Sequence, residues 1–160
     1  MKTKIAILIA MIAVVAVATA RTRTTQSQLK NNSQVIEEIP EGTIPDSLIQ
    51  DIEPNAVTLK GYSKRASDSR ESFFVTNNTN HRISHVRLLM RYMQMNGEML
   101  HERIATVEVD LKPKETRLVS IKTFDLQRMF YYYAGPKPRK NATPFKVAFR
   151  LVGYDIPVGR

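Results

Sequence analysis

Residues 71–100 read ESFFVTNNTNHRISHVRLLMRYMQMNGEML, and this stretch decides the fold. Ser72 to Asn77 is aromatic and β-branched, Asn77 to His81 is a polar turn cluster, and Ile83 to Met95 alternates before it stops at Asn96-Gly97. Runs of that composition bounded by Asn and Gly are strands. Asn-Gly between two of them is the preferred chemistry of a two-residue hairpin turn, because both residues tolerate positive φ. In the longer run Val86, Leu88, Met90 and Tyr92 form one apolar face, while His85, Arg87 and Arg91 stand on the other. Leu89 and Met93 interrupt the outer face, which predicts that another element partly covers it.

Working outward, the same alternation recurs. Upstream, Val57 and Leu59 point inward and Thr58 and Lys60 outward, giving a first strand, and Phe73 and Val75 mark the inward face of the second. Downstream, Met99 to Leu111 returns antiparallel with Ala105, Val107, Val109 and Leu111 inward. Its Glu102 or Glu108 then opposes Arg87 or Arg91 across the hairpin. Lys112 to Glu115 is a turn, and Thr116 to Thr123 brings Val119 and Ile121 inward. Phe124 to Tyr133 differs in kind: Asp125 is placed to cap a helical turn with Leu126, Met129 and Phe130 on one side. Phe145 to Val152 is a closing strand, with residues from Gly153 read as tail. About seven short strands with frequent turn signals and no long helix predict an all-β, immunoglobulin-like antiparallel β-sandwich, with a small barrel as the alternative.

The chain has 160 residues, 42% of them hydrophobic and 24% charged, enough for one globular domain with appendages. Residues 1–20 carry Lys2 and Lys4 before an apolar run from Ile5 to Ala18, and Ala18-Thr19-Ala20 before Arg21 is a small-x-small cleavage site. A signal peptide is therefore expected at 1–20, followed by a linker and Pro-containing lead-in at 21–54, the sandwich at 55–153 and a tail at 154–160. The competing reading is an uncleaved anchor, since Arg21 and Arg23 follow the run. The lead-in, VIEEIPEGTIPDSLIQDIEP at 35–54, is expected to lay its Ile residues along the domain edge.

There is no Cys, which removes disulfides, thiolate catalysis, thiolate metal sites and a lipid-modified cysteine. An exported domain without disulfides must rely on its core, and this favours bacterial export to the periplasm or beyond. Cleavage after Ala20 removes two of 24 basic side chains and none of 15 acidic ones, leaving a formal charge of +7. Such charge suits anionic partners and also keeps a protein soluble. Export argues against nucleic acid. Membrane contact is expected only through an uncleaved signal, and no feature specifies an oligomeric state.

No catalytic constellation emerges. There is no G-x-S-x-G and no phosphate- or dinucleotide-binding Gly-rich loop. His81 and His85 lie roughly 13 Å apart along a strand, too far to share a metal. The chain therefore reads as a non-enzyme without cofactor or metal. The candidate ligand site is Tyr131, Tyr132 and Tyr133 with Lys137, Arg139 and Lys140, where rings offer stacking and cations offer charge. The plainer reading of the same residues is Tyr packing on the core beneath a solvated loop. The sequons at Asn31, Asn77 and Asn141 read as chance in a bacterial chain.

The order F-F-V-T-N-N-T at 73–79, V-R-L-L-M-R-Y at 86–92, N-G at 96–97 and L-K-P-K-E-T at 111–116 resembles the immunoglobulin-like bacterial domains of the FxLYD type. The resemblance covers about Ala56 to Val152. Met93 to Met95 stands where that pattern has an acidic residue after Tyr, and Lys114 stands where its turn has Gly. The resemblance implies an extracytoplasmic domain without assigned catalysis. The expected function is a non-catalytic interaction or structural module of the cell envelope that binds an envelope protein through sheet edges or the Tyr/basic loop. The alternative is a binder of anionic glycan through that loop.

Overall fold

The computed structural model describes residues 36–40, 42, 45, 52–53 and 55–158. The cleavage site at Ala18, Ala20 and Arg21 and the linker at 21–34 lie outside the described residues, as does most of the lead-in. Eight strands form: β1 Glu37–Glu38, β2 Val57–Ser63, β3 Arg70–Asn77, β4 Ile83–Gln94, β5 Met99–Leu111, β6 Thr116–Lys122, β7 Phe130–Tyr132 and β8 Thr143–Asp155. The described residues contain no helix.

The strands make two sheets of a β-sandwich. One is β2-β3-β6, and the other is β5-β4-β8 with β1 and β7 both along the far side of β8. The alternating faces close between the sheets on Leu59, Phe73, Val75, Val86, Leu88, Met90, Val107, Val109 and Phe145, all buried. The expected antiparallel sandwich forms from β2, β3, β4, β5, β6 and β8, and the two short strands β1 and β7 add parallel to β8. The closing strand also runs on to Asp155, pairing Tyr154 with Val86 and Asp155 with His85, where a tail was expected.

The outer face of β4 is covered as its sequence requires. Ile39 packs with Leu89, Ala148 and Val152 in a second small core, against which Met93 rests. Ile36, two residues before β1's end, enters the main core. The lead-in thus supplies apolar side chains to both clusters. Across the hairpin, Arg91 pairs with Glu102 at 2.7 Å, whereas Arg87 takes Asp155 instead.

Two turns show how residue chemistry sets backbone shape. The β4–β5 connection, residues 95–98, is two residues longer than a two-residue Asn-Gly turn. Gly97 N donates to Gln94 O, and Gly97 sits at φ 91, so Met95-Asn96-Gly97 makes a turn closed by a left-handed glycine. Asn77 ends β3 as a buried anchor: its amide donates to the carbonyls of His81, Leu111 and Lys112, and its Oδ1 accepts from Thr79 N and Oγ1. The Asn-x-Thr triplet here is a turn device with its amide nitrogen sealed in the protein. In the Lys112–Glu115 turn, Lys114 occupies φ 63, the left-handed region that Gly adopts without strain.

Candidate functional site: a basic cleft above a buried ion pair

The local cause of the site lies in β2. Gly61 takes φ 64, and the β2–β3 register slips by one residue between Lys60 and Ser63. An extra residue in a strand reverses which side chains face inward. Val57 and Leu59 point in before the bulge, and Tyr62 and Lys64 point in after it. Lys64 is thereby driven into the protein, where its side chain is fully buried.

The buried ammonium is fully satisfied. Lys64 Nζ donates to Asp125 Oδ2 at 2.7 Å, to Phe130 O at 2.8 Å and to Arg65 O at 3.2 Å, using all three protons. Asp125 in turn accepts from the backbone of Met129 and Phe130, each at 2.9 Å. Its own amide donates to Thr123 Oγ1. The helical cap expected at Asp125 is therefore corrected. The carboxylate gathers amides four and five residues ahead into an irregular loop, and no helical turn forms. Burial alone would raise the Asp125 pKa, but the Lys64 hydrogen bond and the two amides outweigh it and hold the carboxyl below its ordinary range.

A second buried carboxylate supports the same end. Glu71 accepts from Tyr92 Oη at 2.7 Å, from the backbone of Phe124 at 3.0 Å and from Arg103 at 3.4 Å. Arg103 also donates to Tyr92 Oη and lies 5.5 Å from the centre of that ring. Burial, with the Glu71 charge second, pushes the phenols of Tyr62 and Tyr92 well above the ordinary tyrosine value. Phe124 sits between Tyr92 and Phe145, at centroid distances of 4.1 and 5.3 Å.

Three segments surround a cleft of about 670 Å³, lined by Arg65, Arg128, Lys137, Arg139 and Lys140 among others. The ion pair positions all three. Arg65 follows Lys64, Arg128 sits in the loop that Asp125 closes, and β7, held by Lys64 at Phe130 O, leads into residues 133–142. Lys64 O also accepts from Tyr132 N. Arg65 pairs with Asp68 at 3.5 Å. Among the described residues, Arg128, Lys137, Arg139 and Lys140 form no ion pair with a carboxylate. Arg128 is held at φ 59, a left-handed conformation that costs an L side chain about 1 kcal/mol.

The expected Tyr/basic site divides in two. Lys137, Arg139 and Lys140 are exposed and come together on the cleft wall. Tyr131 and Tyr132 are buried, and Tyr132 packs edge-on against Tyr62 at 4.9 Å, so its face is spent on the core. Burial pushes the Tyr132 phenol up to about 12. Tyr133 alone is exposed, its ring edge-on to Tyr132 at 5.1 Å. Arg65 and Arg128, absent from the sequence-based set, complete the cation ring. The histidines scatter: His101 stacks near Tyr92 and Phe124, and His85 lies beside Ser84 and Asp155.

A different groove, about 540 Å³, runs between the outer edges of β5 and β6. Two arginines bridge the same two strands: Arg103 of β5 donates to Lys122 O at 2.7 Å, and Arg117 of β6, which lines the groove, to Val109 O at 3.0 Å. They occupy carbonyls that an added strand would need. Comparison with family models, with curated proteins and with solved structures gives no match to this chain.

Proposed function

We propose that this chain is a non-catalytic, exported binding module of the cell envelope that recognises an anionic ligand in the cleft between residues 65–67, Arg128 and residues 136–141. The observation that carries the reading is the gathering of five cations around one cleft, four of them with no carboxylate partner among the described residues. Cations left unneutralised against low-dielectric walls focus a positive potential outward and favour a charged ligand over water alone. The left-handed Arg128 supports the same reading, since strain of this kind is retained where the side chain has a task. The two arginines that bridge β5 and β6 make strand addition there the weaker route to a partner.

The test is a binding panel of acidic and neutral glycans and an envelope extract, at low and moderate salt, with the K137Q/R139Q/K140Q variant alongside. Salt-sensitive retention of acidic ligands, lost in the variant, is the expected result. Retention of neutral and acidic probes alike, unchanged in the variant, contradicts the reading.

A further inference from the structure

The cleft does not stand alone at its end of the sandwich. Strand pairing brings four connections there. Gln94, where the β4–β5 hairpin begins, pairs with Phe145. Tyr133 N donates to Phe145 O, Thr143 N to Met129 O, and Thr123 N to Ser69 O. The 64–69, 95–98, 123–129 and 133–142 segments therefore share one end. Together they carry six basic and three acidic side chains, of which Lys64 and Asp125 are the buried pair.

The same end presents apolar side chains to solvent. Leu126 is 87% exposed, Met99 58%, Met129 52%, Met95 45% and Tyr133 44%. Arg128 lies between Leu126 and Met129 in the chain. Five of the nine exposed large apolar side chains among the described residues lie at this end, and exposed apolar groups gathered at one end mark an interaction surface. Their chemistry separates the destinations. Sugars are gripped by exposed aromatic faces, but Tyr131 and Tyr132 are buried and the exposed residues are mostly aliphatic or thioether. Exposed Leu and Met at the same end as Lys and Arg without carboxylate partners match a boundary where hydrocarbon meets a layer of phosphate.

We propose that this end docks on the surface of an anionic lipid membrane, with Leu126 and Met129 entering the acyl boundary and the cleft cations taking headgroup phosphates. The inference rests on the anion-binding reading of the cleft and names the source of its anion. It adds a contact that the N-terminal apolar segment does not provide.

The experiment uses the full chain, so that its N-terminus is common to every variant. Leu126→Trp gives a single tryptophan in a sequence that has none. Its emission shifts to the blue on vesicles of phosphatidylcholine with about one-third phosphatidylglycerol, and stays unshifted on phosphatidylcholine alone or with a soluble sulfated oligosaccharide. In sedimentation, L126S/M129S lowers partitioning onto the anionic vesicles about tenfold or more, while its oligosaccharide binding stays unchanged. Both positions are exposed, so circular dichroism melting of the variant should match the parent. Oligosaccharide bound without vesicle binding, or vesicle binding indifferent to L126S/M129S, overturns the lipid inference and leaves the cleft reading intact. Neither probe bound overturns both.

Discussion

Lys64 Nζ lies 2.7 Å from Asp125 Oδ2, with both side chains withdrawn from solvent and the two residues 61 positions apart in the chain. This one contact ties the β2–β3 connection, the loop after β6 and the start of β7 into a single unit, and the basic cleft is built on top of it. Removing either partner leaves an uncompensated charge in the interior. Lys64→Met and Asp125→Asn are each expected to cost about 3–5 kcal/mol of folding stability by urea denaturation. K64M/D125L should recover much of that loss because both charges go, yet not the cleft's anion affinity, since the Met129 and Phe130 amides lose their acceptor. A single replacement costing under about 1 kcal/mol would show that the pair does not organise this end.

The pair also sets the acid limb of stability. The Asp125 carboxyl is held below its ordinary range, so at moderately low pH the unfolded chain takes up a proton that the folded chain refuses. Its stabilisation is present above the ordinary carboxyl value of about 3.9 and is lost as pH falls through the lower folded value. The urea midpoint should drop below about pH 4, and the drop should be shallower in D125N.

The alkaline limb has the opposite sign. Tyr62, Tyr92 and Tyr132 have raised folded values, so the folded chain keeps protons that the unfolded chain releases above about pH 10. Stability present below that value is lost as pH rises, through about 12 for Tyr132. Phenolate absorbance should therefore report some of the six tyrosines only as the fold is lost. Reversible ionisation of all six near pH 10 with circular dichroism intact would contradict this account of the aromatic core.

Arg128 offers a separation of stability from binding. At φ 59 a glycine is unstrained, so R128G should be at least as stable as the parent and R128A about 1 kcal/mol less stable than R128G. Both should weaken anion binding by similar factors in a calorimetric titration. Equal stability of the two variants, or unaltered affinity, would remove Arg128 from the site.

The strands were legible because a half-buried strand writes its two faces as alternation, and β3, β4 and β5 keep that alternation. Glu71 and Arg103 did not stand out in the sequence, although each shares the inward parity of its strand, with Phe73 and with Ala105. Alternation alone does not show that a charged residue at an inward position has a buried partner. Lys64 was hidden by the bulge at Gly61, since parity counted from Val57 and Leu59 puts it outward. The signal available was a glycine inside a strand pattern. Asp125 resembled a helix cap because a short carboxylate ahead of Leu and Gln serves both a cap and an irregular loop. Only the distant ammonium of Lys64 decides between them. Two of the three tyrosines read as a binding surface are buried, and Tyr132 packs on the Tyr62 and Phe145 rings because β7 lies along β8.

The most direct test of the central claim is the affinity of the full chain for a sulfated oligosaccharide as salt is raised, measured beside K137Q/R139Q/K140Q. The cleft predicts affinity that falls steadily with ionic strength and a variant weaker by about tenfold or more at low salt. Affinity that is flat with salt and equal in the variant would contradict it.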